Sequence, residues 1–267
     1  MSKKMKSLLK GADKKTLAVY IILRFLVIVT LVLQTIHGNW NEVFLCILTL
    51  FLFMIPFIVD KKFKIDLPTL LEIIILIFIF AAEILGEIQN FYGIFKHWDT
   101  ILHTINGFLC GAIGFSMIDI LNRSEKFFIK MTPIFVSLVA FCFSMTIGVL
   151  WEFVEFGADQ YLNMDMQKDR IVKKISTVML NEDGKNVPVV IKNIDDTFIF
   201  FHDEEGEKQT VIHDGYLDIG IIDTMKDLMV NFIGAFVFSL IGYLYILNRD
   251  KYKLAENFIP TMKGTKV

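Results

Sequence analysis

IDTMKDLMVNFIGAFVFSLIGYLYIL, residues 222–247, is the stretch that decides the fold. From Leu228 to Leu247 it carries no charged side chain, and about 20 helical residues cross a bilayer core. Its opening carries Asp223, Asp227 and Asn231, each four residues from the next. On a helix that spacing puts all three on one face. Arg249, Lys251 and Lys253 follow at the other end. The stretch therefore reads as a membrane span with an acidic face at one end and basic residues at the other.

Five more stretches have the same character: residues 17–36, 43–59, 68–88, 101–121 and 132–156. The second is short, and Pro56 near its end is expected to kink it or stop it early. The first follows a Lys-rich start, as a signal peptide would. Its apolar run is too long for that, Arg24 interrupts it, and no small-residue cleavage site follows. It reads as an uncleaved span. Composition agrees. Of 267 residues 54% are apolar, Phe alone numbers 26, and mean hydropathy is +0.55. With Gly counted, the apolar share is about 60%, against roughly 45–50% for an ordinary soluble domain. A soluble single-core domain and a disordered chain are excluded. A formal net charge of −2 leaves no field to attract a polyanion, which excludes nucleic acid as a partner.

Basic residues orient the spans. Lys3, Lys4, Lys6, Lys10, Lys14 and Lys15 precede span one, and Lys61, Lys62 and Lys64 follow span two. Arg123, Lys126 and Lys130 follow span four, and Arg249, Lys251, Lys253, Lys263 and Lys266 follow span six. The alternate short loops, 37–42 and 89–98, hold only Lys96 between them. The positive-inside rule then puts both termini in the cytoplasm. The long connection 157–221 falls outside. Its β-branched and aromatic runs at 171–180, 187–194, 197–202 and 209–213 alternate with turn clusters at Asn181–Gly184 and Asp203–Gly206, predicting a small antiparallel β-meander. The expected fold is an all-α polytopic membrane protein. It is a six-transmembrane helical bundle with a small extracytoplasmic β insertion between spans five and six. Its parts are residues 1–156, the insertion 157–221, and 222–267.

Ionisable residues inside spans are costly and point to function. Glu83 and Glu87 close span three, Asp99 and His103 open span four, Glu152 and Glu155 close span five, and Asp223 and Asp227 open span six. All lie toward the outer end, and each set occupies one helix face. Seven carboxylates cannot all be anionic together at low dielectric without compensation. Lys226 and Lys96 are the nearby cations in sequence. Either some acids are protonated or a cation is bound. Oxygen ligands with one imidazole suit magnesium, manganese or calcium, and the His leaves zinc or iron open. The expected ligands are Asp99, His103, Glu152, Glu155, Asp223 and Asp227, with Asp99, His103, Glu152 and Asp227 as the catalytic core. Whether Glu83 and Glu87 join them is open.

Plainer readings stand beside these. Asp99-Thr100 and Asp223-Thr224 make good helix N-caps. His103 suits a hydrogen-bonded core position, and Trp98 and Trp151 suit interface belts. Arg24 and Glu72 are placed to pair; otherwise Arg24 snorkels. Asp119 and Arg123 are i,i+4 neighbours. Cys46, Cys110 and Cys142 all fall in spans and read as packing residues. Gly107, Gly111, Gly114, Gly234 and Ala235 offer small faces for close helix approach.

Asp99-x-x-x-His103-x-x-x-Gly107, Glu152-x-x-Glu155 and Asp223-Thr-x-x-Asp227 with Gly234-Ala235 fall in that order. The order resembles the YjdF-like family of uncharacterised bacterial inner-membrane proteins, over roughly residues 86–247. It is more remotely similar to VanZ-like proteins, through Asp227-x-x-x-Asn231-x-x-Gly234. The long β-rich insert departs from the family pattern. The resemblance implies a multi-pass protein of the bacterial plasma membrane and brings no established activity; the VanZ-like likeness implies an envelope role. Three functional classes remain. One is a metal-dependent membrane enzyme acting on a lipid-linked or envelope substrate. The others are a cation- or proton-coupled transporter and a non-enzymatic envelope protein whose acids form a structural network.

Overall fold

The computed structural model describes residues 14–63, 65–123 and 131–262. Lys3, Lys4, Lys6, Lys10, Lys64, Lys126, Lys130, Lys263 and Lys266, which help to set the expected topology, lie outside the described residues, as does the side chain of Arg123.

Among the described residues, six helices are long and apolar enough to cross a membrane: Lys14–His37, Trp40–Val59, Thr69–Ile88, Trp98–Asn122, Pro133–Leu162 and Ile221–Leu247. They are the six expected, and the chain is a polytopic membrane protein. Large apolar side chains such as Ile21, Phe25, Ile36, Phe153 and Phe236 are more than half exposed, a surface that lipid covers and water would not tolerate.

Helix α1 is Lys14–His37. Span two is built from two pieces. Helix α2, Trp40–Leu52, stops at Phe53, and α3, Ile55–Phe63, starts again with Pro56 in its first turn. Proline lacks the N–H that a continuous helix needs, and its fixed φ suits a first turn. Strand β1, Ile65–Asp66, leads to α4, Thr69–Phe80. Span three then continues as a π-helix over Ala81–Ile88, which periodicity did not reveal. After α5, Phe91–Ile94, come α6, Trp98–Arg123, and α7, Pro133–Leu162. Helix α7 runs six residues past the expected end of span five. Its 30 residues span about 45 Å, more than the roughly 30 Å of a hydrocarbon core. It ends where Asn163 takes a φ of 55°, a left-handed stop that Asn tolerates.

The chain forms two compact units, Met1–Val149 with Asp227–Val267, and Leu150–Lys226. The division falls inside α7 and inside α8, Ile221–Leu247.

Among the described residues, the first unit has two buried apolar clusters. Val27, Cys46, Phe53, Leu76, Ile79 and Ile84 join spans one to three. Ala112, Phe115, Val136, Ala140, Phe238 and Tyr245 join spans four to six. The second cluster also takes Ala255 and Ile259 from beyond span six. That segment, a 3-10 helix at Lys253–Phe258 and strand β8 at Thr261–Met262, turns back into the bundle. Strand β8 pairs with β1, Ile65 opposite Met262, and Phe258 meets Phe108 edge to face at 5.2 Å. Arg24 donates to the Tyr20 hydroxyl. Asp119 pairs with Arg249 Nη2 at 2.9 Å, a partner 130 residues away that helix spacing does not reveal. Cys46 and Cys110 are buried as packing residues would be, and Cys142 is exposed; all three are free thiols.

In the second unit the strands pair two by two. Strand β2, Ile171–Val172, pairs with β7, Tyr216–Leu217; β3, Lys174–Thr177, pairs with β4, Val189–Lys192. Strand β5, Asp196–Asp203, and β6, Gly206–His213, form an eight-pair hairpin. All are antiparallel, and the β2–β7 pair ties together the two ends of the excursion. The expected single meander is thus a set of separate ribbons. The Asp203–Gly206 turn is tight: the Glu205 amide donates to Asp203 Oδ1, and Gly206 supplies a φ of 120° that side-chain-bearing residues resist.

Candidate functional site

Helices α6 and α8 cross in backbone contact. A Cβ at Gly107 would collide with the Asn231 carbonyl oxygen, and one at Gly234 with the Thr104 carbonyl oxygen. The small faces expected at these positions are therefore the crossing itself. Lower along the same pair, a Cβ at Gly111 would lie 3.1 Å from Phe238 Cβ and one at Gly242 2.5 Å from Phe115. Close approach of this kind is how helices pack where lipid removes any hydrophobic drive between them. Helix α7 adds a direct tie, since Ser144 Oγ donates to the Gly107 carbonyl at 2.7 Å.

About one to two turns along the pair from this crossing, toward the N-terminal ends of both helices, Asp99 and His103 of α6 meet Asp227 of α8. One ligand-capable atom from each lies within 4.8 Å of the other two. His103 Nε2 stands 3.3 Å from Asp99 Oδ1. Asp227 is 1% exposed and His103 9%, while the Asp99 side chain keeps 26% of its surface. The group thus has a buried floor and an open rim. A carboxylate, an imidazole and a second carboxylate at this spacing can share a proton or hold a divalent cation. Among the described residues this is the trio of His, Cys, Asp or Glu side chains that converges in this way. Asp99 lies in the first turn of its helix, where a negative charge is favoured, and the Trp98 indole beside it donates to the Ala81 carbonyl at 3.3 Å.

Below the trio lies an amide tier. Asn106 Nδ2 donates to Asn231 Oδ1 at 3.3 Å, and Asn231 Nδ2 reaches the Ser144 carbonyl at 3.5 Å. Cys110 Sγ donates to Asn106 Oδ1 at 3.5 Å. Asn106 was not singled out in the sequence. The signal was present: it lies three residues past His103, on the same helix face.

The other expected residues belong to the second unit. Glu152 and Glu155 are buried, and Glu155 Oε1 accepts from the Trp151 indole at 2.7 Å. Asp223 meets donors of its own. Its Oδ2 accepts the Lys168 amide at 3.0 Å. Its Oδ1 faces Arg170 Nη2 at 3.3 Å and Lys226 Nζ at 3.8 Å. Capping of α8 falls to Asp218 instead, which accepts from the Ile222 amide at 3.0 Å and the Gly220 amide at 3.3 Å. Asp218 also takes the Arg170 amide at 2.7 Å. Arg170 was missed because it lies 53 residues from Asp223, and only the return of the chain joins them. Nearby, Asp159 takes the Met166 and Gln167 amides. Burial, then the charges of Asp165, Asp218 and Asp159, raise the Asp169 carboxyl above its usual range.

Glu83 and Glu87 ride on the π-helix. Glu83 is half-buried and Glu87 exposed. Gly86 between them lets the Tyr92 ring close against the helix, where a Cβ would collide. Single π-turns often mark functional positions.

An uncharacterised protein of Thermotoga maritima is 28% identical over 107 residues, 40% of this chain and 53% of the relative. The match thus spans about half the length of that curated relative. No solved structure matches the chain. The family of predicted membrane proteins designated DUF2238 matches residues 17–248, nearly the whole described bundle, and the chain belongs to that family.

Proposed function

We propose that Asp99, His103 and Asp227 bind a divalent cation at one end of the bundle. We propose further that the protein is a metal-dependent membrane enzyme acting on a lipid-linked or cell-envelope substrate. The observation that carries the proposal is the convergence of the three side chains within 4.8 Å. Two carboxylates gathered in a low-dielectric site favour a counter-cation over mutual repulsion. Oxygen ligands with one imidazole fit magnesium, manganese or calcium and also admit zinc. Such an ion would polarise a phosphoryl or carbonyl oxygen of a substrate. Asp99, on the more open side, would meet a substrate first, and Asp227 would anchor the ion from the buried side.

The proposal carries an orientation: a multi-pass protein of the bacterial plasma membrane, both termini cytoplasmic and residues 157–221 extracytoplasmic. Charge distribution supports it, and a lipid-linked substrate would then reach the site from the outer leaflet. The finer kinship to YjdF-like proteins, and the more distant one to VanZ-like proteins, belongs to this proposal and rests on motif order. Asp223, held by Arg170 and Lys226, is assigned a structural part. Glu152 and Glu155 are tested as additional ligands by Glu152→Gln and Glu155→Gln.

The test is metal content of detergent-purified protein by mass spectrometry, beside Asp99→Asn and Asp227→Asn. Near-stoichiometric metal that falls to background in both variants supports the site. Folded wild-type protein that takes up no metal when magnesium, manganese, calcium and zinc are each offered overturns it.

A further inference from the structure

We propose that Asn231 is the positioning residue of the candidate site, locking the rotation of α8 so that Asp227 faces Asp99 and His103. This deepens the reading of that site and rests on it for its functional meaning, although the lock itself has a test independent of metal.

Asn231 is 1% exposed and sits one helical turn inward from Asp227, on the same face. Its carboxamide contacts both neighbouring helices. Oδ1 accepts from Asn106 Nδ2 of α6 at 3.3 Å. Nδ2 points at α7, to the Ser144 carbonyl at 3.5 Å and the Met145 sulfur at 3.6 Å. Asn106 in turn lies one turn inward from His103. The donor–acceptor chain thus runs parallel to the trio, one turn below it. The space is cut to fit: a Cβ at Gly148 would stand 2.6 Å from Asn231 Nδ2, so Gly148 leaves room for the amide and for nothing larger.

Depth gives the contact its directing power. Away from water, a carboxamide that loses its protein partners finds no replacement. Rotation of α8 about its axis would carry Asn231 off both partners while carrying Asp227 off Asp99 and His103. The backbone contact at Gly107 and Gly234 sets how near the helices lie, but small residues tolerate sliding and rotation. A single buried amide is the established way in which packed helices fix register. Side chains that orient ligands from outside commonly change metal affinity by about 10–100-fold when removed.

The experiment places cysteines at Asp99 and Asp227 in a chain whose Cys46, Cys110 and Cys142 are replaced by Ala, and follows disulfide formation under a mild oxidant in detergent. With Asn231 present the pair should close rapidly. With Asn231→Leu, of similar volume but without polar atoms, closure should slow by about tenfold or more. Gly148→Ala should slow it in the same direction by crowding the amide. Should Asn231→Leu fail to give a monodisperse, helical protein, Gly148→Ala and Asn106→Leu decide the question. Unchanged closure in these variants, even with a lowered melting temperature, overturns the proposal, because a purely stabilising amide would lower melting without changing the pair. In the chain with native acids, manganese affinity should fall about 10–100-fold in the same variants. If wild-type protein takes up no metal while Asn231→Leu still slows closure, the lock stands and the metal reading falls.

Discussion

Asp223 and Asp227 stand four residues apart on one helix and meet opposite surroundings. Asp223, in the second unit, is answered by a backbone amide, a guanidinium and an ammonium group. Asp227, in the first, lies with a second carboxylate and an imidazole. The first arrangement is what a structural carboxylate looks like: donors fill its lone pairs and opposite charge cancels its own. The second sets two carboxylates beside an imidazole, an arrangement in which a proton or a cation can be shared. Sequence spacing treats the two acids alike. Their partners separate them.

The largest expected effect breaks the comparison directly. Asp227→Asn should reduce bound metal from near-stoichiometric to background, while Asp223→Asn leaves it near the wild-type level; elemental analysis of both proteins checks this. Equal loss in both would assign Asp223 to the ion as well. Next comes the helix crossing. Gly234→Leu drives a side chain into the Thr104 carbonyl, and overpacking of this kind costs about 1–3 kcal/mol. Detergent unfolding curves should show that loss together with weaker metal binding. Third, Arg170→Ala should cost only about 0.5–1 kcal/mol, because the guanidinium is substantially exposed and water screens it. Metal content should stay unchanged. A large loss of metal there would erase the distinction between the two acids.

The smallest effect concerns pH at the tip of the β5–β6 hairpin. The Lys208 ammonium, then the amides of the turn, hold the Asp203 carboxyl below its ordinary value. The same contact with Asp203, then Glu205, raises Lys208. For a depressed carboxyl, the contribution to hairpin order is present above the unfolded value and is lost as pH falls through the folded one. Turn amides should therefore keep their protection at neutral pH and lose it only below the usual Asp range. Hydrogen exchange at Glu205 and Gly206 checks this, and Asp203→Asn should make the profile flat. The candidate trio should not respond to that variant.

Much of the fold was legible because bilayer crossing is a local property. About 20 apolar residues suffice, and all six helices fall where hydropathy puts them. The acids near the helix ends were legible for the same reason, since any ionisable group in an apolar run stands out. Three features were not. Span three changes from α to π at Ala81, a difference in hydrogen bonding that the side-chain pattern does not encode. The segment after span six reads as a basic tail, yet Ala255 and Ile259 are 2% exposed in the core; a short apolar pair gives no periodic signal. Asp119 pairs with Arg249, 130 residues along the chain, because the ends of α6 and α8 come together through the fold.

The amino-acid sequence by itself determined that this chain spans a membrane six times, which helix ends carry the acids, and which small residues permit close approach. These follow from composition and spacing within single segments. Only the tertiary structure decided which acids meet. Asp227 is separated from Asp99 and His103 by more than a hundred residues of chain and meets them because Gly107 and Gly234 let two backbones touch. Asp223 is turned to Arg170 by the return of a long excursion. Contacts between distant segments depend on packing and on which polar groups find partners, and no local pattern records either.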